Sequence, residues 1–502
     1  MSGFKYLLAT VPVMGSKFII NKYKYKMCNQ MFIIRYSEIG LKGEKSRRQM
    51  ENILIQNIKS ELERYNIFPE FKKSDGRIYI FTDSKLLYDI LPRIFGIKSF
   101  SHAEEFKFRT IEEIVSITVS KFSGMISGKK FAVSAKRSGS HSFTSMDIEK
   151  ILGDALYKYS AGVDLEHPDI RIYIEIRDNR FYLFTEKIEG PGGLPLKSEG
   201  KLLSLFSGGI DSPVATYMVM KRGSATDLLF CSLAHPVDTV QMLMAAKNLL
   251  DKYSIGYNAK IFIIDGSKLV TAISEHPDQM YTNIIFKKLL YEYAEYLCEK
   301  YGYNGMVTGE SIGQVSSQTP QNLMLISEGI KYPVYRPLIG FDKEETINYS
   351  KSKSLFMNQS SAEFCSLFSK NPGIIVNHKD FYNEIKKFNV KDYMQELVEI
   401  DKNTIDDYIK SIKNKRFRGE LDNVEFIDLR SGSDYENWHE PGAINLNLGE
   451  LRNFIEHADR FKNYVFYCKK GLNSAYAASI MSKHGFNAYY VSERDLKSMQ
   501  KN

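Results

Sequence analysis

Cysteine is scarce: five in 502 residues, Cys28, Cys231, Cys298, Cys365 and Cys468, all widely separated. With no CxxC pair and no Cys/His cluster at ligand spacing, a disulfide scaffold is excluded and no structural zinc or iron–sulfur metal site is expected. A reducing compartment follows, so the expected location is cytoplasmic. No uncharged apolar run approaches the roughly 18 residues that cross a bilayer, which excludes a membrane-spanning role. Low-complexity tracts are missing as well. At 43% hydrophobic, 25% charged and 13% aromatic residues, the composition leaves little room for long disorder and excludes a fibrous protein.

The length exceeds what one hydrophobic core fills, so roughly three or four domains are expected. The net charge of +8 is localised: residues 1–50 hold ten Lys/Arg against two Glu, and the rest of the chain is balanced. A polyanion meeting the N-terminal part is one reading. A solvated basic tail is the other.

The first thirty residues are irregular, with an apolar stretch Tyr6–Met14 followed by Lys22-Tyr23-Lys24-Tyr25-Lys26. They lack the basic start and small-residue site of a cleaved leader, and Met31 is an alternative start. From there a strand over Met31–Tyr36, a turn at Gly40 and Gly43 and a helix with apolar Met50, Ile53, Leu54, Ile58 and Leu62 open an α+β region. It includes further strands over 77–81 and 131–135. Gly190-Pro191-Gly192-Gly193-Leu194-Pro195 breaks every periodicity and reads as a linker. Apolar runs at 202–206, 228–231, 261–264 and 306–308 then alternate with helical segments, the pattern of a doubly wound parallel sheet. A basic stretch over 410–418 precedes a last, smaller α/β unit with strands over 424–427, 464–467 and 488–491.

The run Leu202–Phe206 leads into Ser207-Gly208-Gly209-Ile210-Asp211-Ser212-Pro213 and a helix. Two glycines allow a tight turn with amides aimed at a ligand, Asp211 or Ser212 can cap the helix, and Pro213 suits its first turn. The product is an anion cradle at a positive helix end. It lacks the GK[ST] ending of a Walker loop. A Gly-Gly turn alone would be a plain connection, but the six-residue string resembles the PP-loop of ATP pyrophosphatases, which adenylate a substrate and release pyrophosphate.

The resemblance extends further. Val307–Thr319 and Arg336-Pro337-Leu338-Ile339-Gly340 resemble signature segments of the tRNA 4-thiouridine synthetases, as do Met31–Gly43 and Val133-Ser134-Ala135-Lys136-Arg137-Ser138. The likeness covers essentially residues 31–502. It implies an extension over 1–30, a ferredoxin-like domain over 31–82, a THUMP domain over 83–187 and a linker over 188–200. A PP-loop ATP pyrophosphatase domain over 201–395, a second linker over 396–415 and an α/β rhodanese domain over 416–502 complete it. The first two domains are expected to hold tRNA, through Lys42, Lys136 and Arg137. For ATP the resemblance implies the cradle Ser207, Gly208, Gly209 and Ser212, with Leu205 and Phe206 lining the nucleotide by backbone contacts. Lys287 supplies a charge, Gly309 and Gln318 approach the adenylate, and Asp211 is the essential acid. Without the family, Lys287 beside Ile285, Leu289 and Tyr293 would read as a solvated helix face, and Gln318 as turn chemistry.

Cys468 follows an apolar strand and opens Cys468-Lys469-Lys470-Gly471-Leu472-Asn473-Ser474, ahead of a helix. Inward-facing amides and two lysines there favour a thiolate, a setting for sulfur chemistry. Cys231 and Cys298 read instead as buried small hydrophobes. Ile427-Asp428-Leu429-Arg430 and Trp438–Asn445 resemble the upstream signatures of rhodaneses. Asn473 stands where many rhodaneses have Arg, a departure that weighs against thiosulfate-specific activity. Cys365, in Ser361-Ala362-Glu363-Phe364-Cys365-Ser366, matches the place where the rhodanese-bearing synthetases carry the cysteine that closes a disulfide with the rhodanese thiol.

The resemblance thus implies ATP-dependent conversion of uridine 8 of tRNA to 4-thiouridine through an adenylated uridine. Mg²⁺ accompanies the ATP, and a cysteine desulfurase supplies the persulfide. A second role, passing sulfur to a sulfur-carrier protein for thiamine thiazole synthesis, goes with the rhodanese-bearing members. Two rivals stand beside it, a non-catalytic tRNA-binding factor and a small-molecule adenylating ligase on the same fold. Intact Ser207–Ser212, Cys365 and Cys468 speak against the first, and the RNA-binding and sulfur modules against the second. The oligomeric state, a homodimer included, is left open.

Overall fold

A computed structural model describes residues 30–232, 236–266, 281–357, 376–390, 397–414, 416–419, 421–469 and 471–499, with Leu269, Ala272 and Ile273. The N-terminal extension and Cys365 lie outside the described residues. The fold is a multidomain assembly of α+β and α/β parts, as expected, and divides into two compact units. One contains residues 81–83 and 102–185; the other contains 33–80, 84–101 and the described residues from 186 onward.

The chain opens with β1 (Gln30–Arg35), the helix Glu44–Glu63, β2 (Glu70–Ser74) and β3 (Arg77–Phe81). The helix buries Met50, Leu54, Ile58 and Leu62 at i, i+4, i+8 and i+12 spacing, so they form one apolar stripe. After β4 (Ser99–Lys107), the other unit is built from β5 (Lys130–Ser138), β6 (Gly162–Val163), β7 (Ile170–Arg177) and β8 (Arg180–Phe184). There β5 and β7 run parallel from Phe131↔Ile170 to Ser138↔Arg177, and β7 and β8 form a hairpin. Helices Ile111–Phe122 and Ser145–Tyr157 cover its core, the second started by a Thr144–Asp147 capping box.

The segment 188–200 is less of a free linker than its composition suggests. β9 (Ile188–Glu189) pairs with β4, and Leu194 and Leu196 are buried. Gly193 has φ +75°, and a Cβ there would stand 2.0 Å from the Lys221 carbonyl oxygen. Gly193→Ala is therefore expected to cost on the order of 2 kcal/mol, read as a lower melting temperature, whereas Gly43→Ala, with nothing within 4 Å of its new methyl group, changes it little.

Beyond it come β10 (Lys201–Leu205), β11 (Ala225–Ser232), β12 (Lys260–Asp265), β13 (Met306–Val307), β14 (Val334–Tyr335) and β15 (Leu397–Asp401), in sheet order β14-β13-β10-β11-β12-β15. All pair in parallel except β15, which is antiparallel to β12. The chain walks outward from β10 to β12 and then crosses back to β13 on the other side of β10. The strand order thus reverses between β10 and β13, where open α/β sheets form their ligand crevice at the carboxyl ends.

Within the stretch expected to link the last two domains over 396–415, the described residues 397–414 form a strand and a helix instead. β15 extends the sheet, and the helix Ile405–Asn414 packs between helix Pro236–Tyr253 and helix Leu472–Lys483. Its Ile405, Ile409 and Ile412 enter the core, while Asp406 pairs with Lys247 at 2.9 Å. The lysines and aspartates around those isoleucines hide the i, i+4, i+7 stripe. The terminal sheet, β17-β16-β18-β19, is all parallel: β16 (Val424–Asp428), β17 (Ile444–Asn445), β18 (Asn463–Cys468) and β19 (Asn487–Ser492).

Candidate active site

At the crevice, β10 ends at Leu205 and the chain turns through Ser207–Ser212 into helix Asp211–Lys221. Gly208 sits at φ +74°, and a Cβ there would stand 2.8 Å from the Met242 Cα, so glycine is required on both counts. The turn is tied from within: the Ser207 amide donates to Ser212 Oγ at 3.0 Å, and Thr216 Oγ1 donates to the Ser212 carbonyl at 2.7 Å. Phe206 is buried and its amide donates to the Leu229 carbonyl at 2.8 Å.

The loop borders a cavity of about 520 Å³. Leu205, Phe206, Ser207, Gly208, Gly209, Asp211, Ser212, Lys287, Gly309 and Gln318 all line it, so every residue assigned to the nucleotide from the sequence meets in one place. Gly309 is pressed against the loop: a Cβ would stand 2.8 Å from the Asp211 carbonyl carbon and 2.9 Å from the Ser212 nitrogen. Gln318 is buried, and its Oε1 accepts from the Ser311 amide at 3.1 Å. Its side chain thereby fixes the 311–318 loop as well as facing the cavity.

Six contributors escape a reading by sequence alone: Lys343, Gln314, Glu310, Arg336, Thr308 and Tyr291. Lys343 Nζ lies 3.1 Å from both Asp211 carboxylate oxygens, and Gln314 Nε2 donates to Asp211 Oδ2 at 2.9 Å. Lys343 stands in a capping box, Asp342 to Glu345, which accounts for the local sequence as helix punctuation. Glu310 is buried and accepts from Lys287 Nζ at 2.9 Å, Arg336 Nε at 3.0 Å, Thr308 Oγ1 at 3.1 Å and Tyr291 OH. Burial alone would raise its carboxyl, but the Lys287 charge, the Tyr291 hydrogen bond and the Arg336 charge outweigh it and hold the group down at about 2. Lys287 is thus no solvated lysine; its side chain is 18% exposed and ion-paired.

Cys468 ends β18 and is buried. Its Sγ accepts from the Gly471 amide at 3.1 Å and lies 3.5 Å from Ser474 Oγ. The expected stabilised thiolate is not what this arrangement gives. Burial pushes the thiol up, the Ser474 contacts and the Gly471 amide pull it down, and the Asp265 charge adds to the rise. Lys469 offers no direct relief, since its ammonium pairs with Asp434 at 3.1 Å; Lys470 lies outside the described residues. Behind the loop, Asp428 and Arg430 form a buried pair, with Arg430 also bonded to Glu493 at 3.2 Å. Cys231, which also borders the cavity, and Cys298 are buried with raised thiols.

Lys42 is exposed beside the turn Glu38–Leu41 in its unit, and Lys136 is exposed on β5 of the other. Arg137 is half-buried, and its guanidinium donates to the Gly139 carbonyl at 2.9 Å. Among the described residues, no helix is long and apolar enough to cross a membrane, and no cluster of three His, Cys, Asp or Glu is placed to hold a metal ion.

Four parts of the chain match described families: "ThiI ferredoxin-like domain" over 31–101, "THUMP domain" over 108–186, "Thiamine biosynthesis protein (ThiI)" over 197–390 and "Rhodanese-like domain" over 410–502. The chain is 41% identical over 465 residues to a tRNA sulfurtransferase of Thermoplasma volcanium, covering 92% of this chain and 95% of that relative. It is 42% identical over 343 residues to a probable tRNA sulfurtransferase of Saccharolobus solfataricus, covering 68% of this chain and 91% of that one. Among solved structures it is similar to a 4-thiouridine synthetase–RNA complex with bound ATP, at 29% identity and TM-score 0.62, covering 74% of this chain and 99% of that chain.

Proposed function

The chain belongs to the ThiI family of tRNA sulfurtransferases, and from that premise we propose that it converts uridine 8 of tRNA to 4-thiouridine at the expense of ATP. The observation that supports this most is the convergence of all nine residues assigned to ATP, together with the expected acid Asp211, on one cavity at the sheet's switch point, in a chain that also carries the Cys468 loop. ATP occupies the cavity with its phosphates on the Ser207–Ser212 amides and the helix end. One carboxylate, Asp211, faces that end of the cavity, which suits Mg²⁺, an ion commonly held by one or two carboxylates and the substrate's own phosphates. When bound, the ion supplies neutralisation of phosphate charge.

The uridine O4 attacks the α-phosphorus, pyrophosphate leaves, and the base now carries AMP as a good leaving group. A cysteine desulfurase loads Cys468 with a sulfane sulfur, and that terminal sulfur displaces AMP. Cys365 then attacks the inner sulfur, closing a Cys365–Cys468 disulfide that a reductant reopens. Lys42, Lys136 and Arg137 hold the RNA, and the reaction takes place in the cytoplasm. Pyrophosphate release should require unmodified tRNA. Equal release without RNA would favour a small-molecule ligase.

A second role is favoured by the family description that matches residues 197–390, which names thiamine biosynthesis. Here Cys468 passes its sulfur to a carrier protein for the thiazole. A Cys468→Ala strain would then need thiazole for growth, and thiazole-independent growth would dismiss this role.

A further inference from the structure

Glu310 has more partners than its charge requires. It is joined by two cations, Lys287 at 2.9 Å and Arg336 at 3.0 Å, as well as by Tyr291 and Thr308. A buried carboxylate needs one cation to offset its charge, and Arg336 alone meets that need. Arg336 does not border the cavity; it lies behind Glu310, held in turn by Ser327 Oγ at 2.7 Å. Lys287 does border the cavity. The wall therefore has layers, with an arginine locked at the back, a carboxylate in the middle and an ammonium at the front. Two positive charges against one negative leave this wall with one positive charge toward a ligand, while Lys343 and Asp211, which also line the cavity, cancel each other in a direct ion pair at 3.1 Å.

We propose that Glu310 is a positioning residue for the nucleotide reaction: its carboxylate, immobilised by Arg336, fixes the Lys287 ammonium where the charge of the departing pyrophosphate develops. This rests on the ATP reading above. A lysine on a flexible four-carbon stem is a poor electrostatic catalyst unless held, because stabilisation of developing charge depends on a preorganised geometry. The carboxyl stays ionised at any working pH, since its neighbours hold it at about 2 despite burial. Removing the anchor charge does not weaken attraction for ATP, because the wall becomes more positive. It does release the ammonium.

Steady-state pyrophosphate release with unmodified tRNA tests this in the full-length protein. Glu310→Gln should lower kcat about 100-fold, the scale of a misplaced catalytic group, while KM for ATP stays within about threefold. In Lys287→Met, kcat should fall to a similar degree and KM should rise. The double variant should be no slower than Lys287→Met alone, because Glu310 acts through Lys287. If the two losses multiply, or Glu310→Gln raises KM at unchanged kcat, or it behaves as wild type, the positioning role is overturned. Should Glu310→Gln not fold, Glu310→Asp replaces it. The longer reach of Lys287→Arg in that background should then restore about tenfold in rate, and no gain would overturn the role. Wild-type protein that neither binds ATP nor releases pyrophosphate overturns the nucleotide reading together with this one.

Discussion

In a Cys468→Ala variant, 4-thiouridine formation falls at least about 1000-fold while tRNA-dependent pyrophosphate release stays within about twofold of wild type, as expected when a covalent sulfur carrier is lost from a two-stage reaction. The separation follows from where the residues stand. The described residues that line the nucleotide cavity all lie between Leu205 and Met357, ahead of the terminal sheet. Among the described residues Cys468 Sγ hydrogen-bonds at Gly471 and Ser474, within its own loop, and alanine there removes a single heavy atom. Neither Cys231 nor Cys298 is a ready substitute: burial and a neighbouring carboxylate raise both thiols, without the Ser474 and Gly471 contacts that offset the rise at Cys468. Mass spectrometry of nucleosides digested from the reacted tRNA, run beside a pyrophosphate assay, measures both stages. Undiminished thiolation in the variant would remove Cys468 from the chemistry.

Gly309→Ala should act on the other stage, lowering ATP affinity about 100-fold, comparable to the loss from a displacement of about 1 Å at a reacting centre. The new methyl group would meet the Asp211 carbonyl carbon at 2.8 Å, the Ser212 nitrogen at 2.9 Å and the Asp211 Cβ at 3.0 Å. Backbone, not a side-chain tip, must give way, and it is the backbone whose amides hold phosphate. Gly340→Ala, at a position with nothing within 4 Å, serves as the control and should bind ATP normally. Calorimetric titration with ATP distinguishes them. Gly309→Ala binding at wild-type strength would mean that the loop does not carry the phosphates.

The sequence makes the recurring strand-loop-helix signals legible because glycine and short apolar runs have few alternative explanations. The turn at Gly208 is such a case: its positive φ and its contact with Met242 both demand the residue that the motif displays. The helix Ile405–Asn414 was hidden for the opposite reason, since three isoleucines among lysines and aspartates look like a charged connector until two neighbouring helices are placed against them. Long-range pairs were similarly out of reach. Lys343 and Asp211 are 132 residues apart, and the local role of Lys343 in a helix start fully accounts for its neighbours. Glu310 lay within a recognised segment, but its importance comes from three separated elements, the helix Thr282–Tyr301, the exit of β13 and the exit of β14. The Cys468 environment shows the limit of reasoning from adjacency: Lys469 follows the thiol in sequence and turns away to Asp434 in space.

The most direct test loads Cys468 of the full-length protein with ³⁵S-persulfide and gives it unmodified tRNA in a single turnover, with and without ATP. The account requires the label to appear in 4-thiouridine only when ATP is present, with pyrophosphate and AMP formed in step. Label that remains on the protein in the presence of ATP, or that reaches the tRNA without it, would contradict the account.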